Sequence, residues 1–141
     1  MKSAAVVKRA KAKTELEYII HIDGAGQGPF GTGSGYAWFD VDTGKSEVIW
    51  KDHLTNNQAE YRALRLAVKR LKRGSSAKIC SDSQLVVNQF NSQWAVNDPD
   101  LRKLLQRIHE IIEERELDVV VKWIPREQNQ ADNLLSKKNK K

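Results

Sequence analysis

Cysteine is nearly absent from this chain: Cys80 is the only one in 141 residues. A lone thiol excludes a disulfide within the chain and makes a reducing, cytoplasmic setting the default expectation. No apolar run approaches the roughly 20 residues that a membrane span requires. The amino terminus also lacks the apolar stretch of a secretory signal. The glycine-rich passage from Gly24 to Gly35 does not follow the GxGxxG spacing that opens a helix, which excludes a dinucleotide-binding turn. What is present is ordinary for a globular domain, with 40% hydrophobic and 30% charged residues and enough length for one real core.

The net charge of +6 is unevenly spread. Residues 1–13 hold Lys2, Lys8, Arg9, Lys11 and Lys13 without an acid, and residues 137–141 hold four lysines. Every acidic residue lies between, where 18 acids outweigh 15 bases. The expected organisation is therefore a basic, disordered extension (1–14), a mildly acidic folded domain (15–136) and a basic tail (137–141). Such tails are either solvated ends or a non-specific grip on phosphates.

Hydrophobic patterning orders the elements. Tyr18 to Ile22 reads as a strand buried on both faces, with Asp23 where it runs out and Gly24-Ala25-Gly26 as a turn. Residues 36–41 and 47–50 complete an antiparallel meander around the turn Asp42-Thr43-Gly44-Lys45. Residues 57–73 form a helix with Ala59, Leu64, Ala67, Val68 and Leu71 inward, stopped by Gly74. A short strand (77–82) precedes a helix (83–90). Asp98-Pro99 then caps another helix, whose stripe Leu101, Leu104, Leu105, Ile108, Ile111 and Ile112 is core. A last strand (118–125), a loop (126–130) and a helix from Ala131 follow. The order βββαβααβα predicts an α/β fold: three antiparallel strands, then parallel additions through helical crossovers.

In such folds chemistry gathers where strands end and helices begin. Asp23 and Asp82 end strands, while Glu60 and Asp132 lie in the first turns of helices. Each alone is as well explained as a cap or as a helix-dipole partner worth a few tenths to about 1 kcal/mol. Four acids at one edge, however, repel one another unless a cation lies among them. The lack of histidine and cysteine in the set argues against zinc. Hard Mg²⁺ suits carboxylates, water and substrate phosphate. Two such ions about 3.5–4 Å apart are the arrangement for in-line phosphodiester hydrolysis.

Asp23-Gly24, the segment from Thr55 to Tyr61 (TNNQAEY), the segment from Ser81 to Val86 (SDSQLV) and the segment from Pro125 to Asp132 (PREQNQAD) occur in this order. Together they resemble type 1 ribonuclease H over residues 17–136. The resemblance implies a five-stranded ribonuclease H-like fold and cleavage of the RNA strand of RNA–DNA hybrids with two Mg²⁺ or Mn²⁺ ions. The products would be 5′-phosphate and 3′-hydroxyl ends. It assigns Asp23, Glu60, Asp82 and Asp132 as catalytic metal ligands. Asn56, Asn57 and Gln84 fall at minor-groove contacts, which can sense a 2′-hydroxyl, and Thr55 falls at a DNA phosphate. Trp94 falls near an aromatic that packs on the DNA strand, or is equally a core tryptophan. The expected partner is the hybrid alone, with no membrane, and the expected state is a monomer.

The pattern is not kept everywhere. Gly28-Pro29 lacks the asparagine that the family places between these residues, and the last motif is one residue short before Asp132. Counting without a gap would put Asn133 in the fourth position. Helix patterning favours Asp132, because it leaves Ala131, Leu134 and Leu135 inward and avoids burying a carboxylate. Arg126 and Glu127 occupy the loop where many bacterial members carry a histidine, as in the archaeal-like branch, so Arg126 is expected to contact a phosphate or to aid product release. No basic protrusion is expected, because Trp94 to Asp98 leads straight to the next helix, and no separate hybrid-binding domain is expected. Alternatives are an impaired module of the same fold that only binds hybrid or double-stranded RNA, and a related two-metal nuclease that also cuts double-stranded RNA.

If the basic ends supply part of the grip on nucleic acid, deleting residues 1–13 should flatten the salt dependence of hybrid binding. An unchanged slope of log K against log salt would reject that role.

Overall fold

The computed structural model describes residues 17–28 and 31–139, with side chains to residue 136. The basic extension, Pro29 and the side chains of the basic tail lie outside the described residues. Five strands form one sheet in the order β3-β2-β1-β4-β5. They are β1 (Glu17–Ala25), β2 (Gly35–Asp40), β3 (Ser46–Trp50), β4 (Ser76–Ser81) and β5 (Asp118–Trp123). β1, β2 and β3 pair antiparallel, whereas β4 joins β1 and β5 joins β4 in parallel. The helices are α1 (Asn56–Arg70), α2 (Gln84–Phe90), α3 (Pro99–Glu114) and α4 (Asp132–Asn139), with a 3-10 turn at Arg126–Gln128. This is the expected five-stranded mixed sheet flanked by helices.

Local chemistry explains where the helices begin. Thr55 caps α1 through a reciprocal box: its hydroxyl accepts the Gln58 N–H while Gln58 Oε1 accepts the Thr55 N–H. Ser83 caps α2 by accepting from Val86 N–H, and Asp98 caps α3 ahead of a first-turn proline. α1 ends at Arg70 rather than at residue 73, because Leu71 turns extended and is buried as the C-cap. Gly74, at φ +82°, serves the turn into β4 instead.

The core lies between α1 and one sheet face. Ile22, Ile79, Leu64 and Val68 are fully buried there, each worth about 1.5–3 kcal/mol relative to exposure. The buried Tyr61 hydroxyl donates to Gln89 Oε1 at 2.6 Å, tying α1 to α2. The opposite sheet face is less covered: Ile19 and His21 are only half-buried and Val120 is exposed, so β1 is not the strand buried on both faces that its composition suggests. α4 packs on β1 and β2. Among the described residues no helix is long and apolar enough to cross a membrane.

β1 also corrects the expected turn. Its parallel pairing with β4 stops at Ile22–Ser81, but its antiparallel pairing with β2 continues through Asp23–Ala37, Gly24–Tyr36 and Ala25–Gly35. Asp23 is thus inside a strand on one side and past a strand end on the other. Gly24 is required by close approach rather than by a turn, since a Cβ there would meet Ala59 C and Glu60 N at 2.4 Å. Gly24→Ala should therefore force α1 off β1 and lower unfolding stability in urea by about 3 kcal/mol or more. A change below roughly 0.5 kcal/mol would show that the contact is dispensable.

Candidate active site

Three carboxylates from three elements meet at the end of the β1–β4 seam. One oxygen each of Asp23, Glu60 and Asp82 lies within 4.8 Å of the others. β1 supplies Asp23, β4 delivers Asp82 one residue beyond its last paired position, and α1 brings Glu60 across the Gly24 contact. Glu60 lies in the second turn of α1, not the first, and the first turn holds no acid. A role at the helix dipole therefore does not account for it.

The electrostatics are those of charges held together against repulsion. Burial, and then the negative charges of Asp82 and Asp132, push the Asp23 carboxyl up to about 8, aided by a side-chain hydrogen bond with Asp132. Burial and the charges of Asp23 and Asp82 likewise hold Glu60 well above the usual carboxylate range. Glu60 Oε1 is buried without a hydrogen-bond partner. A buried acceptor of this kind is costly, and an oxygen-seeking cation would satisfy it. The donor set is all oxygen, which fits a hard divalent ion and not a thiolate- or imidazole-preferring one.

Asp132 opens α4 half-buried, bonded to Asp23 and 3.7 Å from the Arg126 guanidinium. Asn133 is exposed, while Ala131 and Leu135 are buried and Leu134 half-buried. The helix is thus seated with Asp132 toward the other acids. Asn129 is the member that patterning missed. It is buried, and its amide donates to both Ile22 O and Asp82 Oδ2 at 2.9 Å. His21 Nδ1 accepts the Gln130 N–H at 3.0 Å, and burial keeps His21 below its usual pKa, consistent with a neutral acceptor ring. The only sequence signal for either residue is a polar side chain beside an acidic motif, which many loops share.

The expected substrate residues are all exposed. Thr55 is committed to its cap as an acceptor, which leaves its own O–H to donate. Asn56 Oδ1 accepts the Gly26 N–H at 2.6 Å, and Asn57 and Gln84 are exposed. Arg126 is exposed beside Asp132. Trp94 is 47% exposed, which corrects its reading as a core residue. Trp123, also 47% exposed, donates from its indole to Asp82 O at 3.2 Å.

Comparison with known proteins adds an independent line. The family model described as reverse transcriptase-like matches residues 40–139. RNase H1 from the halophilic archaeon Halobacterium salinarum is 31% identical and superposes with a TM-score of 0.72, covering 84% of this chain and 93% of that one. LC11-RNase H1, solved in complex with an RNA/DNA hybrid, is 27% identical at a TM-score of 0.72 over 85% of this chain and 94% of that one. The Mycobacterium tuberculosis protein named bifunctional protein Rv2228c is 32% identical over 128 residues, 84% of this chain but 34% of its own length. The chain spans about a third to two fifths of the length of the curated relatives that it matches first.

The raised carboxyls give stability a sign. Unfolded Asp23 ionises near 3.8 but stays protonated in the fold to about 8. Without metal, the folded chain therefore holds a proton that the unfolded chain has released. Stability is fully present below about pH 4 from this group and declines as pH rises toward about 8, with Glu60 acting in the same direction. Thermal unfolding in EDTA at stepped pH should show this decline, and Asp23→Asn should flatten it. A Tm that rises across the window because of Asp23 would contradict the arrangement. Adding Mn²⁺ near pH 7 should release protons, measurable by calorimetry in buffers of different ionisation enthalpy.

Proposed function

The chain belongs to the type 1 ribonuclease H family, within the reverse transcriptase-like proteins, and on that premise we propose that it is an endoribonuclease that hydrolyses the RNA strand of RNA–DNA hybrids. The products in this reading are 5′-phosphate and 3′-hydroxyl ends. The observation that carries it is the meeting of Asp23, Glu60 and Asp82 within 4.8 Å, with one oxygen of Glu60 buried and without a hydrogen-bond partner.

Asp23, Glu60, Asp82 and Asp132 are the residues that would hold the metal. A pair of divalent ions, Mg²⁺ or Mn²⁺, would supply an activated water and charge stabilisation for the leaving 3′-oxygen. The chain's own contribution is placement. Asp23 stands centrally, in contact with Asp132 and adjacent to Asp82 and Glu60. Arg126 offers its exposed guanidinium to a backbone phosphate next to Asp132. Asn56, Asn57 and Gln84 supply amides to the minor groove, where a 2′-hydroxyl separates RNA from DNA. Thr55 donates to a DNA phosphate, and the open face of Trp94 packs on the DNA strand. We further propose that the chain works as a monomer in the cytoplasm, which suits its single buried thiol, Cys80.

A labelled RNA–DNA hybrid incubated with Mg²⁺ tests this reading. The RNA strand should be cut internally. Asp82→Asn should lower the rate by roughly a hundredfold or more, since losing even a group behind a metal ligand costs about 10–100-fold. Hybrid binding without cleavage in either Mg²⁺ or Mn²⁺ would leave only a binding module. Equal cutting of duplex RNA in parallel lanes would assign a broader nuclease.

A further inference from the structure

Asn129 lies 4% exposed at the foot of α4, and every polar atom of its side chain is engaged. Nδ2 donates to Ile22 O at 2.9 Å and to Asp82 Oδ2 at 2.9 Å, while Oδ1 accepts the Ala131 N–H at 3.0 Å. These partners adjoin or belong to three different acids of the site. Ile22 precedes Asp23, Asp82 is held directly, and Ala131 precedes Asp132.

The amide can sit only one way round. Rotated by half a turn, its oxygen would face a carbonyl and a carboxylate, and its NH₂ would face an N–H, so all three contacts would turn repulsive. Aspartate has the same shape but would lose both donors and add a further negative charge beside Asp82. Serine would keep one donor at most. An amide also carries no titratable proton, so it offers the same two donors and one acceptor at any pH.

We propose that Asn129 is the positioning residue of the site: its amide sets the rotation of the Asp82 carboxylate, and hence which oxygens meet the cation, while locking β1 and α4 to the same frame. The inference rests on the reading of Asp82 as a metal ligand given above. Asn129 touches neither cation nor substrate in this assignment and acts through Asp82.

Loss of stability alone does not test the idea, because any truncation at residue 129 orphans Ile22 O and the Ala131 N–H. The test is a cycle of variants on the full chain, with Mn²⁺ binding measured by calorimetry without nucleic acid. Asn129→Ala should weaken Mn²⁺ binding about 10–100-fold in the parent. In an Asp82→Asn background the same change should cost less than about threefold, since coupled sites are not additive. Asn129→Ser should fall between and carries the cycle if the alanine variant does not fold. The Mg²⁺ concentration for half-maximal hybrid cleavage should rise in parallel. Equal losses in both backgrounds, or unchanged Mn²⁺ affinity in the parent, would overturn the role of Asn129 and leave the nuclease reading intact. Failure of the parent chain to bind Mn²⁺ would overturn both.

Discussion

Mutual repulsion among carboxylates kept out of water is the constraint on which the rest of this structure depends. Asp23, Glu60 and Asp82 approach within 4.8 Å, and Asp132 leans on Asp23. Left to themselves, like charges at this separation would move apart into solvent. They stay because each hangs from a different packed element, so that separating them would mean pulling β1, β4, α1 or α4 out of register. The scaffold therefore holds an unfavourable arrangement that a hard cation relieves. Stability and metal affinity are two sides of one free energy.

How closely that scaffold can be drawn together is decided by backbone contact. Gly24 lets α1 run against β1 with no side chain between, which carries Glu60 to the end of the sheet. On the other side, β4 leaves β1 after Ile22, opening the gap into which Asp82 projects. The hairpin with β2 continues past this point and keeps the Asp23 backbone paired. A strand paired along one edge and released along the other is a compact way to expose a carboxylate without loosening the segment that carries it.

Buried polar groups then lock the frame. The Asn129 amide joins residues 107 apart in the chain, and His21 receives the Gln130 N–H across a similar span. Both bonds tie the loop that leads into α4 to β1, so the last acid is placed by that tether as well as by its own helix. The short spacing between Asn129 and Asp132 is accommodated by a 3-10 turn at Arg126–Gln128 and by the Asp132 N–H donating to Asn129 O at 3.2 Å.

Much of this was legible in the sequence because it is local. Apolar spacing marked α3, and Asp98-Pro99 marked its start. The inward spacing of Ala59, Leu64, Ala67, Val68 and Leu71 announced α1, and four acidic motifs in order identified the family. Other features were not legible, because they arise where distant segments touch: the continuation of β1 through Ala25, the second-turn position of Glu60, the exposure of Trp94 and the clamp by Asn129. Periodicity and capping are governed by neighbours within a few residues, so the chain by itself determined its elements, their order and the acids available for chemistry. Only the tertiary structure decided which of those acids meet, at what separation and under whose hydrogen bonds, because repulsion between carboxylates is overcome by packing contributed from the whole fold and by no single segment.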